Sequence, residues 1–345
     1  MVKMLEKGLP TLMHMPPSIR RGWRVLVGTS FFALLLVACK PSSETTSPTA
    51  SKVSAPVVHG ASSPERAVSD LIAHLRRNAL ADVARTALPA PLHAQVDAAW
   101  RDGKSRWPLS EMPFDDNLPG LLKALSAKDA ERKLNARFKQ QLSGQTKALQ
   151  DAARGLGLFG KQYLGREGQY NAQQRQHYVQ LIDAMSAWAQ KAPLGDPARG
   201  KESIHLLVNG AKRSGLQGDE DFSRLGMDAS LKALVPLYIA SKQVLGQYGL
   251  GVDASLASLR AETVKKAGDE ADVRVRYTLA DKDIDTVMKA VKVDGRWYLA
   301  DYLKDAEASL PPPAPEAPPT ADPAVKPAPA TTDDAAPKPG TPAKR

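Results

Sequence analysis

Apolar side chains change their spacing four times along this chain, and each change marks a boundary. Residues 25 to 38 carry no charge, and the stretch from Lys40 to Ala61 is Ser, Thr, Pro, Ala and Val without any apolar period. From Ser62 the spacing becomes helical. Ser62-Ser63-Pro64-Glu65 offers a capping box with proline in the first turn, and Val68, Leu71, Ile72 and Leu75 then share one face. The same period predicts helices over 79–86, 91–101, 118–127 and 129–156. In the last of these Leu134, Phe138, Leu142, Leu149, Ala152 and Leu156 form a stripe expected to face the core. Further helices are expected over 172–191, with Tyr178, Leu181, Ile182, Met185 and Trp188 inward, and over 196–214 and 228–248. Pro236 should start or kink the last one.

After Gly249 the period falls to two. Val273, Val275, Tyr277 and Leu279 alternate with Arg274, Arg276 and Thr278, the pattern of a strand buried on one face. Neighbouring strands are expected at 259–265, 285–293 and 296–302, joined at Gly268-Asp269, at 280–283 and at Asp294-Gly295, a strong hairpin signal. The expectation is an α+β fold, mainly helical over 62–254 with an antiparallel β-meander over 255–310. A rival architecture is a separate helical domain with a β-hairpin appendage. Beyond residue 310 the density of Pro and Ala predicts a disordered, polyproline-like tail over 311–345.

The 345 residues are 43% hydrophobic, enough for a substantial core, and carry a net charge of +10. The first 38 residues hold a net +4 of that charge, so the remainder is only modestly basic at +6. The single cysteine, Cys39, excludes an internal disulfide, a cysteine-rich zinc site and a CxxC redox motif. Arg20, Arg21 and Arg24 precede the uncharged run, giving a basic n-region and an h-region of secretory size, too short for a stop-transfer helix. Initiation at Met13 or Met15 would give a more ordinary precursor than Met1.

Leu36-Val37-Ala38-Cys39 resembles the lipobox of bacterial lipoprotein precursors. The resemblance implies that residues 1–38 are a signal peptide and that Leu36, Val37 and Ala38 are read by the signal peptidase. It further implies that Cys39 receives diacylglycerol on its thiol and a fatty acid such as palmitate on its freed amine. Two or three acyl chains hold a protein far more firmly than one, at about 0.8 kcal/mol per buried CH₂. The rival readings are an ordinary signal peptide with a chance cysteine and an uncleaved anchor. Lys40 stands where the inner-membrane retention signal of that family has aspartate, which implies an outer-membrane lipoprotein facing the periplasm. Inner membrane and cell surface are the alternatives. Residues 39–61 then form a tether with a span of about 25 Å.

The segment VKKAGDEADVRVRYTLADKDIDTVMKAVKVDGRWYLADYL resembles the terminal strands of NTF2-like (SnoaL-like) domains, and SPERAVSDLIAHLRR resembles their first helix. The resemblance implies a curved sheet closed by helices into a cone, inside which that family places its binding sites. Residues 87 to 254 would be a helical insertion.

Catalytic patterns are weak. His59, His74, His93, His177 and His205 never form HExxH, and Glu202 with His205 supplies only one ExxH step. Asp281, Asp283 and Asp285 mimic a calcium loop, but Thr286 and Lys292 occupy its glycine and glutamate positions. Gly103-Lys104-Ser105 lacks the first glycine of a P-loop and ends a predicted helix. No GxSxG occurs, and Asp115-Asp116 and Asp219-Glu220-Asp221 sit beside Pro and Gly as loop acids would. No cofactor or metal is expected beyond the covalent lipid. For contact with a partner, Trp107 and Phe114 with the neighbouring Arg106 are candidate anchors, the rival being a packed loop between helices. Arg274, Arg276, Lys289 and Arg296 are a candidate basic sheet face, although nucleic acid is not an expected partner.

The function expected is therefore a non-catalytic, membrane-anchored module for a periplasmic protein or cell-wall partner. Its rivals are an immunity-type inhibitor of a secreted wall-degrading toxin and a wall-modifying enzyme.

Overall fold

The computed structural model of the protein describes residues 58–111, 117–166 and 170–312. The chain enters the fold as an added piece of sheet: Ala61 and Trp297 exchange two backbone hydrogen bonds of 2.9 Å. Gly60, at φ +68°, lies so close to the Tyr298 ring and Arg296 Cβ that a side chain there would overlap both. Helix α1 (Pro64–Arg76) follows, with Pro64 in its first turn and Ser63 as N-cap. The expected capping box does not form. The Ser63 hydroxyl donates to Glu65, whose other oxygen accepts from Thr263 Oγ1, so this carboxylate ties the helix start to the sheet instead. Burial of Val68, Leu71, Ile72 and Leu75 follows the i, i+3, i+4 spacing read above.

Helices α2 (Leu80–Ala87), α3 (Ala90–Arg101), α4 (Leu118–Ser126) and α5 (Ala130–Gln141) come next. The segment expected as one helix over 129–156 is two. The chain turns at Gly144, φ +77°, whose N–H donates 2.8 Å to Gly195 O, before α6 (Thr146–Arg166) begins. Nor does the apolar stripe of that segment face the core along its length, since Leu156 is 69% exposed. Helix α6 instead packs on α7 (Ala172–Ala189) through Gly157 and Gly160, which touch Ser186 and Ile182. Helix α8 (Pro197–Ser214) carries α4 and α5 on one side and α11 (Val235–Gln247) on another. Phe138 of α5 lies on Gly200, and Gly210 lets α8 approach Leu237 and Ala240. Pro236 sits in the first turn of α11, separating it from α10 (Met227–Ala233), so the expected 228–248 helix is also two. Short helices α9 (Asp219–Leu225) and α12 (Val252–Ser258) complete this half.

Strands β1 (Arg260–Ala267), β2 (Glu270–Leu279), β3 (Lys282–Val293) and β4 (Arg296–Leu299) form an antiparallel meander in the order 1-2-3-4. The expected strand over 296–302 stops at Leu299, and Ala300–Ala308 is a helix, α13. There Tyr302 and Ala306 bury at helical spacing. The fold is α+β as expected. Val273, Val275, Tyr277, Leu279, Ile284 and Ala290 turn inward, covered by α1, α7, α12 and α13. Outward, Arg274 pairs with Asp285, Arg276 with Glu262 and Lys289 with Asp272. Three of the four candidate cations thus belong to cross-strand ion pairs, while Arg296 has no ion-pair partner among the described residues. Where β3 runs beyond β4, its edge is closed by α7: Gln180 exchanges hydrogen bonds of 2.8 and 3.0 Å with the Asp285 backbone, and Gln173 donates 3.0 Å to Val287 O. Helices and meander share one core running from Ala61 to Ala306.

The β2–β3 turn holds Ala280 at φ +48° and Asp281 at φ +62°. A Cβ in this left-handed region costs about 1 kcal/mol. Ala280→Gly should therefore raise the unfolding free energy by roughly 0.5 to 1 kcal/mol, read by urea denaturation. An unchanged or lower midpoint would show that the turn is not held in this geometry.

Candidate functional site

Of the residues singled out in the sequence, Leu36, Val37, Ala38, Cys39 and Phe114 lie outside the described residues, as do Asp115 and Asp116. Trp107 is 2% exposed, so it offers no surface to a partner. Its carbonyl accepts 2.7 Å from the Trp100 indole, and its ring meets Tyr302 edge-on. Arg106 is likewise committed inside the fold. It donates to the Trp100 and Ser105 carbonyls, to Asp219 and to Ser223, with its guanidinium over the Trp100 and Phe222 rings. That arrangement clamps α9 onto the end of α3, and the two residues fit the packed-loop reading.

The carboxylates and histidines are also dispersed. His205 faces Glu131 at 3.3 Å rather than Glu202, and Asp285 is held by Arg274, away from the turn carrying Asp281. His93 meets Asp228 at 3.1 Å, and Arg85 holds the other oxygen of the same carboxylate. His177 is half-buried against Tyr178 and Tyr277, and desolvation lowers its pKa to about 4. Lys242 is buried over the Tyr238 ring and donates 2.7 Å to Asp253, joining α11 to α12. Among the described residues no three His, Cys, Asp or Glu are placed to hold a metal ion.

What the fold does assemble is a pair of adjoining hollows on either side of the β2–β3 turn. One, of about 480 Å³, lies between α6, α7 and the turn, with Arg154, Lys161, Gln180, Asp183 and Gln190 around it. The other, of about 500 Å³, lies between the ends of α7 and α11 and the start of α8, with Trp188, Lys191, Arg199 and Tyr248 around it. Lys282 and Ala187 belong to both. Several walls are fixed by their own bonds: Lys161 to Asp183 at 2.7 Å, Arg154 to Gln190 at 2.9 Å, and the Trp188 indole to Tyr248 O at 2.9 Å. Lys191 and Lys282 have no ion-pair partner among the described residues. Asp183, Asp281 and Asp283 also line the hollows, so the walls carry both signs of charge beside amide and indole groups and suit a polar, polyhydroxyl group. The lining holds neither histidine nor cysteine, hence no hydroxyl–histidine or thiol–histidine pair.

No family model, no curated protein and no solved structure matches this chain. The hollows therefore rest on geometry alone. Sequence reasoning identified 280–283 as a turn but not Lys191, Arg199 or Lys282. These three come from separate elements, and no local motif joins them.

At the C-terminal helix, Asp301 and Asp305 stand one turn apart. Burial, reinforced by the neighbouring Asp301 charge, raises the Asp305 carboxyl to about 6. An unfolded Asp titrates near 3.9, so between about pH 4 and 6 the folded state binds more protons, and stability falls as pH rises through that window. Asp305→Asn should remove this cost. Thermal unfolding should show a gain of about 1 kcal/mol at pH 7.5, reduced by solvent screening of a half-buried group, and none at pH 4. Equal gains at both pH values would contradict the assignment.

Proposed function

We propose that the protein is an outer-membrane lipoprotein whose folded domain is a non-catalytic interaction module facing the periplasm. The observation that carries this reading is Leu36-Val37-Ala38-Cys39 directly after a basic n-region and an uncharged run. Two structural facts support it. The described domain is fastened from His59 onward, by His59 Nδ1 to Leu88 O at 2.9 Å and by the Ala61–Trp297 pairing, close to the end of the Ser/Thr/Pro-rich stretch that follows Cys39. The hollows at the β2–β3 turn offer hydrogen-bond donors and cations to a ligand. An NTF2-like relation of the C-terminal quarter is supported by α1 lying across the inner face of the meander. That face is filled by side chains such as Val273, Val275 and Leu279.

The mechanism is tethering. The lipid sets location, the tether sets reach, and the domain presents its binding surface at a limited distance, which raises the effective concentration of any envelope partner.

Labelling cells with palmitate tests the anchor. The wild-type chain should be labelled and fractionate with the outer membrane. Cys39→Ala should be unlabelled and remain uncut before residue 39, whereas undiminished labelling of that variant would sink the proposal.

A further inference from the structure

The charge of the protein is not spread evenly. Residues 118–166, which form α4, α5 and α6, hold ten Lys and Arg against three Asp and Glu, a net +7. Everything else from Cys39 to Arg345 nets −1. The same segment carries Leu121, Leu142, Leu156, Leu158 and Phe159, five of the seven exposed large apolar side chains among the described residues.

This coincidence follows from how the helices pack. Helices α4 and α5 lean on α8, and α6 leans on α7 through glycines, so the three form an outer layer whose other sides meet solvent. Of its cations, Lys123, Lys128, Arg137, Lys139 and Arg166 have no ion-pair partner among the described residues. Along α6, Leu156 and Phe159 lie within about 60° of one another on the helix surface, whereas Leu158 turns to the side of Arg154 and Lys161 that lines the hollow against α7. A helical layer with exposed apolar side chains among Lys and Arg suits the boundary between anionic headgroups and acyl chains.

We propose that the α4–α6 layer is a docking surface for an anionic phospholipid bilayer. The basic residues are drawn to the headgroup charge, and the exposed leucines enter the acyl boundary. A second copy of this chain would bring two surfaces of like charge together, so self-association through this layer is disfavoured. Nucleic acid would satisfy the cations but leave the leucines without a role. The inference goes beyond the anchor and does not depend on it: acylation of Cys39 would bring the domain to a membrane, whereas this layer would orient it there.

The test uses the chain from Lys40 to Arg345, which retains every described residue and lacks both Cys39 and the apolar leader. It is sedimented with vesicles of phosphatidylcholine alone and of phosphatidylcholine mixed equally with phosphatidylglycerol. Binding is expected only to the anionic vesicles. Arg137→Glu with Lys139→Glu should weaken it by about tenfold or more. Leu121→Asn with Leu156→Asn should weaken it by about fivefold or more with no change of charge. Lys265→Glu with Lys292→Glu, the same charge change on exposed strand positions, should weaken it far less. All four positions in the helical layer are solvent-exposed, and circular dichroism checks that each variant remains folded. Absence of binding to anionic vesicles, equal loss in the strand control, or indifference to the leucine changes would each overturn the proposal. Tighter binding to a fluorescent oligonucleotide than to vesicles, unaffected by the leucine changes, would overturn it in favour of a nucleic-acid surface.

Discussion

A four-stranded meander with one apolar face needs a cover, and the way this chain supplies it organises the rest of the molecule. Val273, Val275, Tyr277, Leu279 and Ile284 would present a continuous greasy face to water if left bare. The cover comes from both directions along the chain. Helix α1, about 200 residues upstream, crosses all four strands, while α12 and α13 flank the meander in sequence. The Ala61–Trp297 pairing and the Glu65–Thr263 contact fasten the start of the domain to its end. Neither half can bury its apolar face without the other, so helices and sheet share one core.

Between these two ends the remaining helices build outward in layers, and small residues set the spacing. Gly200 under Phe138, Gly210 against α11, and Gly157 and Gly160 against α7 allow close backbone approach where larger side chains would overlap. One result is that α6 packs by its glycine face and leaves Leu156 and Leu158 outside. Another is that the β2–β3 turn stands between α6, α7 and α8, with space on either side of it. The site and the basic layer are thus by-products of the same packing that covers the sheet.

Much of the skeleton was legible because the local period and the buried face agree. Val68, Leu71, Ile72 and Leu75 read as one helical face and are one, and Asp294-Gly295 read as a hairpin and makes the turn between β3 and β4. Readings failed where two solutions share a pattern. Leu134 to Leu156 look like one stripe, but Gly144 takes a left-handed conformation that ends the first helix, and glycine contacts rotate the second. Trp297, Leu299 and Tyr302 fit neither period cleanly, so the strand-to-helix change at Ala300 was missed. Trp107 and Arg106 looked like an exposed aromatic anchor and its cation. They proved internal because Trp100 and Phe222, far apart in sequence, converge on them. The hollows were illegible for the same reason, since Lys191, Arg199 and Lys282 meet only after α7, α8 and the meander have packed.

On the proposed reading, the hollows at the β2–β3 turn are where the domain meets its partner. The most direct test is photo-crosslinking in living cells from position 282, with position 265 on β1 as a control away from the hollows. The account predicts one stoichiometric adduct from position 282 that is missing from position 265. Identical adduct patterns at the two positions, or none at either, would contradict the claim that these hollows are the binding site of an interaction module.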